Sequence, residues 1–368
     1  MNDRKNRWFH RRVPEMVRIA SAAVMVALAT TAPIPALAQT LPLVLKEHRA
    51  GTVLSVAVSS DGRTVIAADA GTRFVGAFEA DRKTIAWDAR TGVVLGRFES
   101  ECDTWDLAFL PDGKHFLAAQ EDGDLILRET RAGRILGRFR GHVGRVMAID
   151  VVPDGRRAVS CGIDGSVRLW DPRTGEQLHA FVDPEPTLLT CVRIDEDGRR
   201  VIAGGLDGVL RVYDLERGTG PRRLPGHTDQ INTLAWLPEG RALSGGRDRT
   251  IRTWDVELGR LLDRIEAGTD VTALVASPGG RRALFGGIDG LVHLRDVDLG
   301  RDLSVMKGHT SWIWDIRVPD TGRFAASCGQ DGTVRLWPLG PEDVDPRSNL
   351  GARRRAPGRP SGGRRGSR

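Results

Sequence analysis

The sequence predicts an all-β fold, a seven-bladed β-propeller with four antiparallel strands per blade. Two observations carry this. A glycine turn motif recurs seven times at near-constant spacing. The segments between turns are short runs rich in β-forming residues, and none has a helical period.

The turns read "SSDGR", "LPDGK", "VPDGR", "DEDGR", "LPEGR", "SPGGR" and "PDTGR". Their glycines are Gly62, Gly113, Gly155, Gly198, Gly240, Gly280 and Gly322, separated by 51, 42, 43, 42, 40 and 42 residues. A second series lies downstream: Asp81, Asp122, Asp164, Asp207, Asp248, Asp289 and Asp331, with steps of 41, 42, 43, 41, 41 and 42. Seven units of about 42 residues therefore fill most of residues 41–340.

One unit shows the local logic. "RVMAIDVV" (145–152) is rich in β-formers and ends at "PDGR". "RAVSCGI" follows, then Asp164-Gly165, a tight-turn signal between strands. "SVRLWD" is a third strand, "PRTG" a turn and "EQLHAFV" a fourth. One such meander cannot hide both of its faces. Seven stacked about an axis bury each other's faces.

At this point the sequence resembles the WD40 family, over residues 41–338. "GH" stands at Gly141-His142, Gly226-His227 and Gly308-His309, and "WD" at Trp87-Asp88, Trp170-Asp171 and Trp254-Asp255. Blade 4 has Tyr213-Asp214, blades 2 and 6 have Arg128-Glu129 and Arg295-Asp296, and blade 7 ends Trp337-Pro338. The family's His–Ser/Thr–Asp–Trp tetrad maps onto His142, Ser160, Asp164 and Trp170 in blade 3. It recurs as His227, Ser244, Asp248 and Trp254 in blade 5, and as His309, Ser327, Asp331 and Trp337 in blade 7. Ser, His and Asp are also the residues of a hydrolytic triad. This set ends in an indole donor, recurs at the repeat period and lacks an oxyanion device, so the expected role is a buried structural network. No catalytic residue, metal site or cofactor is expected. A propeller hydrolase would need clustered acids with a base, which the sequence does not offer.

The ring must close. Pro338, Pro341 and Pro346 cannot sit in a ladder, so the last blade lacks a fourth strand. Leu43–Lys46 align with fourth strands such as "RILGRF", and the resemblance implies that this N-terminal strand completes blade 7.

The flanks differ in composition from the ring. Residues 1–38 hold six Arg/Lys and two acids, then the apolar run "IASAAVMVALATTA", then "PALA" before Gln39. That is the plan of a secretory signal peptide, so the chain is expected to be exported, to a periplasm or the exterior. The alternative is an uncleaved anchor, although the apolar run is short for a span. Residues 341–368 hold eight Arg and three acids with few apolar residues, the composition of a disordered basic tail. The formal charge of +6 lies in these flanks, and residues 39–340 carry −3. A specific nucleic-acid interface is therefore not indicated. The cysteines Cys102, Cys161, Cys191 and Cys328 form no metal or redox spacing, and free buried thiols are expected.

The resemblance also places a partner face. Residues flanking the first core position of strand a should reach the side that carries the d–a and b–c loops. The pairs are Thr52/Leu54, Asp103/Trp105, Arg145/Met147, Leu188/Thr190, Gln230/Asn232, Asp270/Thr272 and Trp312/Trp314. The core positions between them are Val53, Thr104, Val146, Leu189, Ile231, Val271 and Ile313. Gly62 to Asp81 spans 19 residues where Gly155 to Asp164 spans 9, so an insert near 69–78 enlarges the first b–c loop. It carries Phe74 and Phe78. Trp312, Trp314, Phe74, Phe78 and Trp105 are expected to form an aromatic patch, with Asp103 and Glu121 beside it. The competing expectation is that the phenylalanines cover the tryptophans as local core. The function these residues indicate is a monomeric, non-catalytic scaffold for a protein partner, with contacts also from Arg145, Gln230 and Asn232. The alternative is a ligand- or glycan-binding propeller using the aromatic patch.

Overall fold

The computed structural model describes residues 43–46, 51–70, 82–218 and 220–340. The proposed signal segment, the tail, Phe74 and Phe78 lie outside the described residues. Within them every regular element is a strand, gathered in seven four-stranded antiparallel sheets. Blade 3 is typical, with strands a to d at Val146–Val151, Ala158–Gly162, Ser166–Asp171 and Glu176–Val182. Tight turns join them. Gly155 and Gly165 sit at φ +69° and +72°, a conformation that costs a side chain dearly and glycine little.

Strand a of each blade contacts strand a of the next, and the circle closes from Ile313–Arg317 of blade 7 to Val53–Val58 of blade 1. Blade 7 takes its outer strand from the start of the ring. Leu43–Leu45 pairs antiparallel with Val334–Pro338, with Leu43 opposite Leu336 and Leu45 opposite Val334. The expected closure is therefore what forms.

The core is not one mass. Among the described residues seven apolar clusters occur, one at each junction between neighbouring blades. At the 2–3 junction Leu117, Leu125 and Phe139 meet Val146, Ile149 and Trp170. At the closure, Leu45, Val334 and Leu336 meet Val53, Ile85 and Trp87. Each buried Val, Leu or Ile contributes roughly 1.5–3 kcal/mol, so closure is stabilised from both sides of one junction.

Strand a is an edge strand facing the axis, and its outward backbone groups have no ladder partner. Side chains of the preceding blade satisfy several of them. Ser55 Oγ accepts from Leu107 N (3.1 Å), Asp106 Oδ2 from Ile149 N (3.0 Å), Thr233 Oγ1 from Leu274 N (3.0 Å) and Asp315 Oδ2 from Val56 N (3.3 Å). These bonds pin blade 1 to 2, 2 to 3, 5 to 6 and 7 to 1 in one register.

All four cysteines are free. Cys161, Cys191 and Cys328 are buried and Cys102 is partly so. Burial pushes the Cys191 thiol up to about 11, so it stays protonated as an apolar filler.

Candidate partner-binding face

The His, Ser, Asp and Trp of blades 3, 5 and 7 are linked by hydrogen bonds. In blade 5, Trp254 Nε1–H donates to Ser244 Oγ (2.8 Å), and Ser244 Oγ lies 2.7 Å from His227 Nε2. His227 Nδ1 lies 2.9 Å from Asp248 Oδ1. An indole can only donate. One donor order therefore satisfies every member: Trp to Ser, Ser to His Nε2, and His Nδ1–H to Asp, which fixes the tautomer. Blades 3 and 7 repeat these distances within 0.1 Å. Burial opposes charge on Asp248, but the hydrogen bonds from His227 and Thr250 hold its carboxyl down to about 2. Burial lowers His227 below its ordinary value. Ser160, Ser244 and Ser327 have no exposed surface, and each hydroxyl is committed on both sides. A substrate cannot reach them.

Blade 4 lacks the His and Ser and builds an ionic substitute. Arg211, 1% exposed, holds Asp183 at 2.7 Å, and Asp207 at 2.5 Å. Nothing in the motif spacing announces this exchange.

The candidate partner face depends on a feature of strand a. In all seven blades the a–b register slips by one residue just after the first core position, a β-bulge. The extra residues are Leu54, Trp105, Met147, Thr190, Asn232, Thr272 and Trp314. A bulge re-aims a side chain out of the sheet. Here all seven line one cavity of about 160 Å³ on the axis, together with Gln230. Asp106, Arg193, Asp315 and Arg317 bring charge to the lining. Arg317 Nη2 lies 3.0 Å from Asp106 Oδ1 and 3.3 Å from Asp315 Oδ2. Burial opposes its charge, yet those carboxylates raise it above its ordinary value.

The rim is aromatic on one side. Trp312 is 41% exposed, and its ring packs against Trp314 at 5.5 Å between centroids. The Arg145 guanidinium lies 3.9 Å over the Trp105 ring and 3.4 Å from Glu121. The indole N–H groups of Trp105 and Trp314 are buried without an acceptor among the described residues. A buried donor left unpaired costs about 1–3 kcal/mol.

Three expectations need refinement. Asp103 is 5% exposed, and its carboxylate takes Arg82 Nε at 3.1 Å, so it supports the face from within rather than presenting charge. Asn232 donates to Val271 O (2.9 Å) and accepts from Gln230 (2.8 Å), so it is partly committed to stitching blades 5 and 6. Trp314 is not simply a surface residue, since it packs against the 7–1 cluster while lining the cavity. Thr190, Thr272, Leu54 and Met147 complete the ring of bulge residues. The alignment of pairs contained them, but only the recurring bulge shows that they converge.

The family described as "WD domain, G-beta repeat" matches residues 133–171, 175–214, 218–255 and 300–338. Each match spans strand d of one blade and strands a to c of the next, the offset that strand-exchange closure requires. The chain is a WD40-repeat β-propeller. The matches include every blade with a complete tetrad, and blade 4 with its ionic substitute.

The WD40 propeller is similar to segments of several curated proteins. It is 28% identical over 136 residues to Autophagy-related protein 16 of Arabidopsis thaliana, covering 36% of this chain and 26% of that protein. It is 33% identical over 105 residues to Pre-mRNA-processing factor 17 of Homo sapiens, covering 28% and 18%. It is 35% identical over 109 residues to the Guanine nucleotide-binding protein subunit beta of Arabidopsis thaliana, covering 27% and 29%. The chain thus spans less than a third of each relative's length. WD40 propellers generally mediate protein–protein interactions and are typically non-catalytic.

Proposed function

We propose that this propeller is an exported, non-catalytic scaffold that binds one protein partner through the face bearing the d–a and b–c loops. The observation that carries the reading is the convergence of seven bulge residues on one axial cavity, beside exposed Trp312. The cavity, at about 160 Å³, is smaller than the roughly 300–1,000 Å³ that encloses a free small-molecule ligand. It suits one side chain of a docked partner, with the Trp312–Trp314 pair and Arg145 on Trp105 as anchors around it. Export rests on the basic, apolar and small-residue segments of 1–38.

The second reading is a ligand- or glycan-binding propeller. The two unpaired indole donors and the exposed tryptophan favour it, because sugars offer oxygens and apolar ring faces. Affinity capture from an envelope extract separates the two. A stable protein partner, lost with Trp312→Ala, supports the scaffold. Glycan-array binding with no captured protein supports the second reading and overturns the first.

A further inference from the structure

A second cavity lies on the opposite face, among the a–b turns. It measures about 700 Å³ and runs over blades 4, 5 and 6 to Val318 and Asp320 of blade 7. Six carboxylates and two guanidiniums line it. Arg199 is taken by Glu216 at 3.3 Å. Glu196, Asp197, Glu239, Glu257 and Asp320 are exposed and have no ion-pair partner among the described residues. Like charges gathered around a cavity repel one another, and a cation entering it relieves that repulsion. Trp236 lines the same cavity, and its indole N–H is buried with no acceptor among the described residues. A bare cation cannot satisfy an N–H donor. A cationic peptide can, through a backbone carbonyl.

The chain carries such a peptide, and its exit lies on this face. Strand c of blade 7 ends at Pro338 opposite Phe324, where strand b leaves its a–b turn. Leu339 N then donates to Arg323 O (2.9 Å), which holds the exit at that turn. Beyond Gly340 the three acids fall within 342–345, and residues 347–368 contain eight arginines and no acid. An extended chain gains up to about 3.3–3.6 Å per residue. Arg347 can thus stand up to about 24 Å from Gly340, and the later arginines farther.

We propose that the Arg-rich segment 347–368 docks in its own chain's acidic cavity, with arginines on the free carboxylates and a backbone carbonyl on the Trp236 indole. The segment is then a built-in competitor for any cationic peptide reaching that face. The side on which Trp312 stands stays open.

Zero-length carbodiimide coupling on the full chain tests this, because it joins a carboxylate only to an amine in direct contact. The tail has no lysine, so Arg354→Lys supplies one without changing charge. The expected product is a chain linked within itself, from position 354 to Glu196, Asp197, Glu239, Glu257 or Asp320. The link should be lost in the Arg354→Lys variant that also carries Glu196→Gln and Glu239→Gln. It should also weaken severalfold at 1 M salt, where charges are screened within about 3 Å. An equal melting temperature in the Gln variants separates loss of docking from loss of fold. Links only to carboxylates elsewhere, links only between two chains, or no link at position 354 would each overturn the proposal.

Discussion

Replacing Ser244 by alanine isolates the energy of one tetrad. The hydroxyl is the hub: it accepts from Trp254 Nε1 at 2.8 Å and donates to His227 Nε2 at 2.7 Å. Trp254 is 1% exposed and the His227 side chain is fully buried, so water cannot replace the lost oxygen. Ser244→Ala leaves one donor and one acceptor buried and unpaired, at about 1–3 kcal/mol each. The two losses share one network and add incompletely. The expected destabilisation is about 2–4 kcal/mol. Alanine itself is no obstacle, because Ala67, Ala118 and Ala203 occupy the same strand-b position in blades 1, 2 and 4. Urea unfolding followed by tryptophan fluorescence reads the change as a lower midpoint at unchanged slope. Partner capture by the folded fraction should be unaffected. A loss below about 0.5 kcal/mol, or lost capture at unchanged stability, would refute the structural role.

Three further predictions follow from the same geometry. Deleting residues 39–47 removes Leu43–Leu45 and uncovers the Val334–Pro338 edge; size-exclusion chromatography should show aggregation or early melting, whereas a monomer of native stability would contradict the closure. Asp183→Ala leaves Arg211 buried with only Asp207, and losing one partner of a buried pair costs about 3–5 kcal/mol; thermal melts should show blade 4 as a weak point, and an unchanged melt would count against it. Stability should fall with acid in two stages. His227 titrates below its ordinary 6.5 when folded, and Asp248 at about 2. The unfolded chain therefore takes up protons first, near 6.5 on the histidine and near 3.9 on the aspartate. Stability is full above about pH 6.5, declines first as the unfolded-state histidine charges, and declines again from about pH 4 towards 2. Urea midpoints between pH 8 and 3 read this, and a rise in stability on going from pH 7 to 5 would reverse the sign.

Sequence periodicity revealed the fold because each repeat is one meander with its own turn glycines, and those features are local. The tetrads were legible for the same reason: their spacing is fixed by the strands that carry them. The closure was legible because a blade missing a strand and an unassigned strand at the other end imply each other. The geometry of the candidate partner face was only half legible. The pairs around Trp105 and Trp314 could be aligned, but a bulge is a register shift between two strands, and one strand's sequence does not encode it. The Asp103–Arg82 pair was missed because it depends on side-chain reach across a loop. The Arg211–Asp183 substitute was missed because it links positions the repeat pattern treats as variable. Asp106, Asp315 and Arg317 did leave a signal: charged residues inside otherwise apolar strands mark either a channel or a site.

The most direct test of partner binding compares two neighbours, Trp312 and Ile313. Trp312 is 41% exposed, so Trp312→Ala should change stability by less than about 1 kcal/mol. Ile313 has no exposed surface at the 6–7 junction, so Ile313→Ala should cost about 2–5 kcal/mol. Each folded variant is then used to capture protein from envelope extract, with the melting temperature measured on the same sample. If the face binds the partner, Trp312→Ala folds normally and loses capture, while folded Ile313→Ala retains it. Undiminished capture by a normally folded Trp312→Ala would contradict the assignment of this face as the binding site.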